Sequence, residues 1–205
     1  MSLIQLLFPE RCRGCGRAGR AICRSCIARI PRARTPPPGT FAVYDYGHHL
    51  VRWTIRDLKY NRKSESARAL AAAATLYIDE YLRPHTNIIL VPIPGHPRKK
   101  RDRGFNQSEL LAKWWSKVLP TAHTQHLLRK AVFTLPQAHL NRHERLRNVV
   151  GTMECARTLD PSMTYVIIDD VTTTGATCME ARRALIASGA TRVLSIALAH
   201  GYASK

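Results

Sequence analysis

The chain is short of acidic residues. It has 14 aspartates and glutamates against 32 lysines and arginines among 205 residues, a formal net charge of +18. This imbalance disfavours basic partners and favours polyanions, such as nucleic acid, pyrophosphate-bearing ligands or an anionic membrane surface. A generally basic proteome or a solubility requirement would also produce it. We take nucleic acid or a phosphorylated ligand as the first hypothesis.

Long hydrophobic runs are also lacking. The longest candidate, residues 69–78, is mostly alanine and shorter than the ~18 residues of a membrane span. The opening MSLIQLLFPE is apolar, but it has no preceding basic residue and no small-residue cleavage site. The sequence therefore predicts a cytoplasmic protein with no transmembrane segment. Its first residues are expected to pack on the N-terminal module, or to contact a partner or the inner face of the cytoplasmic membrane.

The six cysteines do not form the even pattern of a disulfide framework, because four of them fall within residues 12–26. These four form two Cys-x2-Cys knuckles, each of which can direct two thiolates at one tetrahedral metal ion. A closed four-sulfur shell predicts a structural zinc ion that folds the segment and takes no part in catalysis. The alternative is a redox pair or unrelated thiols. The predicted ligands are Cys12, Cys15, Cys23 and Cys26.

A stiff TPPPG linker at residues 35–39 divides the chain into a four-cysteine zinc-finger module, residues 1–35, and an α/β domain, residues 40–205. Strands are predicted at 41–47 (an edge strand or hairpin), 88–91, 165–168 and 192–199. Helices are predicted at 50–60, 64–82, 107–118 and 176–188, and residues 121–150 stay unassigned. This order predicts a mainly parallel sheet flanked by helices.

The most informative run is YVIIDDVTTTGAT, residues 165–177. An apolar strand leads into two acids and several threonines, and a helix follows, which is where open α/β sheets bind ligands. Hydroxyl and backbone N–H groups at a helix N-terminus suit a phosphate. The carboxylates suit sugar hydroxyls, contacted directly or through Mg²⁺. The run lacks the lysine and spaced glycines of a Walker A loop.

Together these features predict a site for a ribose 5-phosphate. Taken singly, the acids would fit a solvated strand end and the threonines a capped turn. The predicted binding residues are Asp169, Asp170, Thr172, Thr173, Thr174, Gly175, Ala176 and Thr177.

The same run resembles the 5-phosphoribosyl-1-pyrophosphate (PRPP) motif of type I phosphoribosyltransferases, and the whole chain resembles the ComF family of competence proteins. The resemblance is carried by the paired cysteine knuckles, VPIP at 91–94, RGFNQ at 103–107, QAHLNRHERLRN at 137–148 and VIIDDVTTTGAT. It implies a phosphoribosyltransferase-type α/β fold with a small N-terminal zinc finger.

The resemblance also implies roles for single residues. Asp169 and Asp170 would hold the ribose 2- and 3-hydroxyls, and residues 173–177 the 5-phosphate. The turn at 91–95 would meet pyrophosphate, where Gly95 allows close approach of the backbone. The basic loop after it would be a lid over pyrophosphate or a contact to DNA, unless it is only a solvated loop. The predicted pyrophosphate and lid residues are Val91, Pro92, Ile93, Pro94, Arg98, Lys99, Lys100, Arg101 and Arg103.

Two basic stretches supply the predicted contacts to single-stranded DNA. The predicted contacts are Lys99, Lys100, Arg101, Arg142, Arg145 and Arg147. Trp114 and Trp115 could stack on bases, although a place in the core is the better interpretation for Trp115.

Two hypotheses for function remain. The first is a ComF-like protein that binds PRPP with Mg²⁺ and also single-stranded DNA. It would handle incoming DNA in natural transformation, beside a competence helicase and an inner-membrane DNA channel. The second is an active phosphoribosyltransferase with an unidentified acceptor, since a pure DNA binder needs no acid–threonine loop. No stretch of the sequence predicts an acceptor pocket, which together with the net charge favours the first.

Overall fold

The computed structural model describes residues 10–95, 101–119, 121–130 and 151–202. The helices in these residues are α1 (Arg24–Ala28), α2 (His49–Tyr60), α3 (Glu65–Leu82), α4 (Gln107–Trp115) and α5 (Ala176–Ala187). The strands are β1 (Thr40–Asp45), β2 (Ile88–Pro92), β3 (Ala122–Thr124), β4 (Leu128–Lys130), β5 (Met153–Cys155), β6 (Thr164–Thr172) and β7 (Arg192–His200).

A parallel sheet in the order β1-β7-β6-β2-β3 forms the centre of the protein. β1 lies at one edge, as predicted for its alternating apolar pattern. β4 and β5 form a separate antiparallel pair. The predicted α/β class with a mainly parallel, helix-flanked sheet is therefore confirmed.

Both faces of the sheet are buried, which explains why its central strands are nearly continuous apolar runs. In β6, Val166 and Ile168 join an apolar cluster formed with α2, α3 and α4, whereas Tyr165 and Ile167 join a second cluster with α5. Trp115 belongs to the first cluster, is 1% exposed, and donates from Nε1 to the carbonyl oxygen of Ala71 at 3.0 Å. Its predicted place in the core is confirmed.

Side-chain caps set the start of two helices. Ser64 Oγ accepts from the backbone N of Ala67 at 3.1 Å at the start of α3. Asn106 Oδ1 accepts from the backbone N of Ser108 at 3.1 Å at the start of α4. Both bonds satisfy N–H groups that a helix leaves without an internal partner.

No helix within the described ranges combines the length and apolarity needed to cross a membrane.

The structure differs from the sequence prediction in five elements. β6 runs to Thr172, so the two acids lie inside the strand and not after it, because hydrogen bonding to β7 continues beyond the apolar run. α4 ends at Trp115 and not at residue 118, since residues 116–118 form a turn. β3, β4 and β5 have only three residues each, too few to give a clear apolar period.

The cysteine-rich segment packs against the α/β sheet layer. Ile22, Ile27 and Ile30 are buried in the same apolar cluster as Val43 of β1 and Leu50 of α2. The division of the chain into two units at the linker therefore stays a prediction.

Candidate functional site

The two acids lie where β6 loses one of its neighbours. β2 ends at Pro92, which pairs with Ile168 of β6. Beyond Ile168, β6 continues to Thr172 and pairs with β7 but no longer with β2. Asp169 and Asp170 therefore occupy the carboxyl edge of the sheet beyond the end of β2. This is the place at which open α/β sheets bind their ligands.

The chain after β2 brings the start of α4 against this edge. The backbone N of Ile93 donates to the carbonyl oxygen of Ile168 at 3.0 Å, and the carbonyl oxygen of Ile93 accepts from Asn106 Nδ2 at 2.7 Å. Ser108, in the first turn of α4, donates from Oγ to Asp169 Oδ1 at 3.2 Å. Three segments that are distant in sequence thus meet at Asp169.

The surroundings of Asp169 make the ionisation of its carboxyl group unfavourable. Loss of solvent, and then the charge of Asp170, raise the pKa of Asp169 well above its usual value. The backbone N of Asp170, at 2.9 Å, and Ser108 Oγ both donate to Asp169 Oδ1 and oppose this shift without cancelling it. A ligand that supplies hydroxyl donors or a cation would relieve the cost of ionising Asp169.

A buried amide one residue before Ser108 also lacks a partner. Gln107 is 8% exposed, and its Nε2 has no hydrogen-bond partner in the part of the chain that the structure describes. Buried amide donors are normally satisfied. The two carboxylates can accept from the hydroxyl groups of a ligand or hold a cation.

The threonine loop joins the acids to the N-terminus of α5. Gly175 is the residue before the helix and has φ +78°, a left-handed conformation that favours glycine. Thr174 Oγ1 accepts from the backbone N of Ala176 at 3.4 Å. Thr172 is buried, and its carbonyl oxygen accepts from the backbone N of Gly201 at 2.9 Å. The first turn of α5 therefore presents N–H groups and the positive end of its dipole beside the acid pair.

The proline linker contacts this loop. A Cβ placed on Gly175 would lie 2.8 Å from Pro37 Cβ and 3.1 Å from Pro37 Cγ. Contacts that short do not occur between real side chains, so Pro37 and Gly175 are packed together as closely as a glycine permits. The linker therefore fixes the shape of the turn that would hold a phosphate.

Gly175→Ala is expected to lower the free energy of unfolding by roughly 2–3 kcal/mol, because it adds a clash with Pro37 to the strain of a left-handed alanine. Chemical denaturation measures the change. Gly151→Ala is the matched control: its φ is +79° and no atom of the described residues lies within 4 Å of its added Cβ, so only roughly 1–2 kcal/mol should be lost. Pro37→Gly should recover part of the difference in the Gly175→Ala background. Equal losses in the two alanine variants would contradict the close packing.

The four cysteines of the N-terminal segment come together. Their Sγ atoms all lie within 4.8 Å of one another, and Cys15 Sγ is 3.7 Å from Cys23 Sγ, close to the ~3.8 Å edge of a tetrahedral zinc–sulfur site. A Cβ on Gly14 would lie 2.7 Å from Cys26 Sγ, so the knuckle needs glycine at this position. The cluster fits a structural zinc ion, as predicted.

The thiols of this cluster differ in acidity. Burial raises the pKa of Cys12, but N–H groups that include those of Cys23, at 3.3 Å, and Gly14, at 3.4 Å, donate to its sulfur and lower the pKa to about 6. The neighbouring thiol of Cys23 raises the pKa of Cys26 instead. Four thiolates cannot coexist here without a cation, and a divalent metal ion supplies that charge.

The remaining predicted site residues belong to the turn after β2, to the basic lid and to the DNA contacts. The side chains of Val91 and Ile93 are buried in the second apolar cluster, so only their backbone could meet a ligand. Arg101 is exposed, and the guanidinium of Arg103 lies 5.8 Å from the ring centre of Tyr60. The remaining basic residues of the lid and DNA predictions lie outside the described residues: Arg98, Lys99, Lys100, Arg142, Arg145 and Arg147.

Sequence reasoning did not assign three residues that the structure brings to the site. They are Asn106, Ser108 and Pro37. Asn106 follows a loop and precedes a helix, which is an N-cap pattern and could have placed Ser108 in a first helical turn. Nothing local in the sequence connects Pro37 with Gly175.

Comparison with known proteins gives the following matches. No family model matches the chain. The chain is 32% identical over 201 residues to DNA utilization protein YhgH of Salmonella typhi, covering 89% of this chain and 86% of that protein. It is 28% identical over 192 residues to competence protein ComFC of Bacillus subtilis, covering 92% and 76%. Purine phosphoribosyltransferase from Pyrococcus horikoshii Ot3 is a structural neighbour with TM-score 0.40 and 16% identity, over 65% of this chain and 80% of that one.

The chain is a mainly parallel α/β protein with an acid–threonine loop at the carboxyl edge of its sheet and an N-terminal four-cysteine cluster. The identity to YhgH extends over most of both chains. The chain belongs to the family of DNA utilization protein YhgH and the ComF competence proteins.

Proposed function

We propose that this protein handles incoming single-stranded DNA during natural transformation and binds PRPP, with Mg²⁺, at the acid–threonine site. The observation that carries the proposal is the position of Asp169 and Asp170 beyond the end of β2, directly beside the N-terminus of α5. Carboxylates and helix N–H groups side by side suit a ligand with a diol at one end and a phosphate at the other.

Each part of PRPP has a counterpart in this arrangement. The ribose hydroxyls would donate to Asp169 and Asp170, whose like charges such donors or Mg²⁺ would compensate. The 5-phosphate would accept from the loop at residues 173–177. The pyrophosphate would lie towards the backbone turn after β2, with Arg101 and the basic residues before it as its counter-charges.

Two further observations support the DNA-handling part. The net charge of +18 favours a polyanion, and the relatives are named as DNA utilization and competence proteins. A place at the inner face of the membrane, beside a helicase and a DNA channel, is part of this proposal.

The second candidate function is phosphoribosyl transfer to a nucleobase or another acceptor. The presence of both carboxylates and of the threonine loop at one edge of the sheet favours this function. Binding DNA does not require that arrangement. In this reaction Mg²⁺ and basic side chains would stabilise the charge of the departing pyrophosphate.

Calorimetric titration of the protein with PRPP, with and without Mg²⁺, tests the proposal. We expect saturable binding that weakens when Mg²⁺ is omitted, and competition by ribose 5-phosphate, which keeps the diol and the phosphate. Binding of inorganic pyrophosphate without competition by ribose 5-phosphate would contradict the ribose assignment. Release of pyrophosphate only on addition of one nucleobase would establish the second function.

A further inference from the structure

An exposed aromatic residue, Tyr60, ends α2 within a basic segment that leads to α3. Residues 59–63 have the sequence KYNRK, and we call this segment the KYNRK turn. Tyr60 is 77% exposed, and three bases surround it: Lys59, Arg62 and Lys63. Most of the Tyr60 side chain is therefore accessible to a partner.

Hydrogen bonds hold the turn in one conformation. Asp57 Oδ2 accepts from Ser64 Oγ at 2.6 Å and from Ser66 Oγ at 3.0 Å. Asn61 donates from its backbone N to the carbonyl oxygen of Asp57 at 2.8 Å, and its Oδ1 accepts from the backbone N of Lys63 at 3.0 Å. The turn is therefore preorganised, which reduces the entropy lost on binding.

The ring of Tyr60 is itself positioned by a cation. The Arg103 guanidinium lies 5.8 Å from the ring centre, within the range of a cation–π contact. Since most of Tyr60 remains exposed, ring surface is left for a second planar group. Aromatic rings presented in this way stack on nucleobases of any sequence.

A groove of about 360 Å³ continues from the turn along α4. Its lining includes Arg62 from the turn, Lys113 and His126, and also Asn106 at the start of α4. Asn106 also donates to the carbonyl oxygen of Ile93 just after β2. The groove therefore connects the KYNRK turn with the carboxyl edge of the sheet.

The charge of this surface is positive. Its bases are Lys59, Arg62, Lys63, Arg101, Arg103 and Lys113. The acids on the same segments are Glu65, Asp102 and Glu109, and the carboxylate of Glu109 lies 3.9 Å from His126 Nδ1. Asp57 is a further acid of this region, and the two serines hold its carboxylate at the start of α3.

We propose that the KYNRK turn and this groove bind single-stranded DNA, with Tyr60 stacked on a base and Arg62, Lys63 and Lys113 contacting phosphates. The inference rests on the DNA-handling part of the proposed function. It places the contact on residues other than the predicted basic stretches, and beside the acid–threonine edge. A single strand fits better than a duplex, because only unpaired bases offer an open face to Tyr60.

Fluorescence anisotropy with an oligothymidylate of about 15 nucleotides and an abasic deoxyribose–phosphate strand of equal length tests the stacking. Tyr60→Ala is expected to weaken binding to oligothymidylate about tenfold, with an unchanged salt slope and unchanged binding to the abasic strand. Tyr60→Phe should bind like the wild-type protein. Because Tyr60 is exposed, these variants should keep the wild-type melting temperature.

A second variant tests the phosphate contacts. Arg62→Ala/Lys63→Ala should lower the slope of log affinity against log salt by roughly 1.4, at about 0.7 for each phosphate released. Arg83→Ala/Arg192→Ala is the matched control. It removes the same charge from exposed positions near the amino ends of β2 and β7, and we expect a smaller change.

Each outcome decides a different claim. Oligothymidylate binding by the wild-type protein, with both KYNRK variants equal to the control, would overturn this site and leave the proposed function standing. Equal wild-type affinity for the abasic strand, or for duplex DNA, would overturn stacking by Tyr60. No binding of any strand by the wild-type protein would overturn both the site and the DNA-handling function.

Discussion

Asp169→Asn/Asp170→Asn is expected to abolish PRPP binding and at the same time to raise the melting temperature. Asparagine keeps the shape of each side chain but removes the charge that would hold Mg²⁺ or accept from ribose hydroxyls. Loss of two charge-assisted hydrogen bonds at roughly 1.5–3 kcal/mol each lowers the affinity at least about 100-fold. Calorimetry with Mg²⁺–PRPP measures the first effect, and thermal unfolding measures the second.

The gain in stability follows from the raised pKa of Asp169. A carboxyl whose pKa is higher in the folded state binds its proton more tightly there than in the unfolded chain. The stability this provides is fully present below the unfolded pKa of about 3.9 and is lost as the pH rises through the folded pKa. Above the folded pKa the carboxylate of Asp169 is therefore less favourable for the fold than its neutral form. The double variant should lose this part of the pH dependence.

Asp160→Asn is the matched control, with the opposite sign. Asp160 Oδ1 accepts from the backbone N of Ser162 at 2.8 Å and from its Oγ at 2.7 Å, and these bonds lower the pKa of Asp160. Asp160→Asn should therefore decrease the melting temperature slightly at neutral pH and leave PRPP binding unchanged. Unchanged PRPP affinity in the Asp169/Asp170 variant would refute the ribose assignment, and a lowered melting temperature would refute the electrostatic argument.

The parts of the site that the sequence predicts are those encoded locally. The apolar run of β6, the acids that follow it and the threonines before α5 are consecutive, so strand, edge and helix start can be derived from neighbouring residues. The same holds for the cysteine knuckles, whose spacing alone indicates a shared metal ion, and the structure brings their sulfur atoms together.

The parts that escaped prediction depend on contacts between distant segments. Ser108 and Asp169 are 61 residues apart and meet only because Asn106 ties the start of α4 to the end of β2. The strand β6 extends past its apolar run because β7 still pairs with it. The sequence shows the bases around Tyr60 but does not show that its ring is exposed. That exposure depends on the turn that Asp57 and the two serines hold together.

The N-terminal segment and the linker contact the α/β domain at two places. Ile22, Ile27 and Ile30 are buried in the apolar cluster that also holds β1 and α2, and Pro37 of the linker packs on Gly175 of the threonine loop. The linker in the sequence predicts a module that folds by itself. The shared cluster predicts instead that folding of the cysteine segment and of the sheet is coupled.

Removal of zinc is therefore expected to destabilise the whole protein. Without the metal ion the knuckles open, and the three isoleucines lose the burial that contributes roughly 1.5–3 kcal/mol each. The surfaces of β1 and α2 that these side chains cover are then exposed to water, which should lower the free energy of unfolding by about 3 kcal/mol. For a chain of this size the melting temperature should fall by roughly 10 °C. Zinc content and thermal unfolding, before and after chelation and in Cys26→Ser, measure the effect.

Hydrogen exchange separates the two models of the N-terminal segment. If folding is coupled, peptides from β1 and α2 should lose protection in Cys26→Ser together with residues 12–30, because they pack on the same isoleucines. Cys155→Ser removes a half-buried thiol outside the metal cluster and should keep zinc, protection and melting temperature. Loss of protection confined to residues 10–35, at an unchanged melting temperature, would show that the cysteine segment is an independent module. Zinc retained at full occupancy in Cys26→Ser would refute the four-cysteine site.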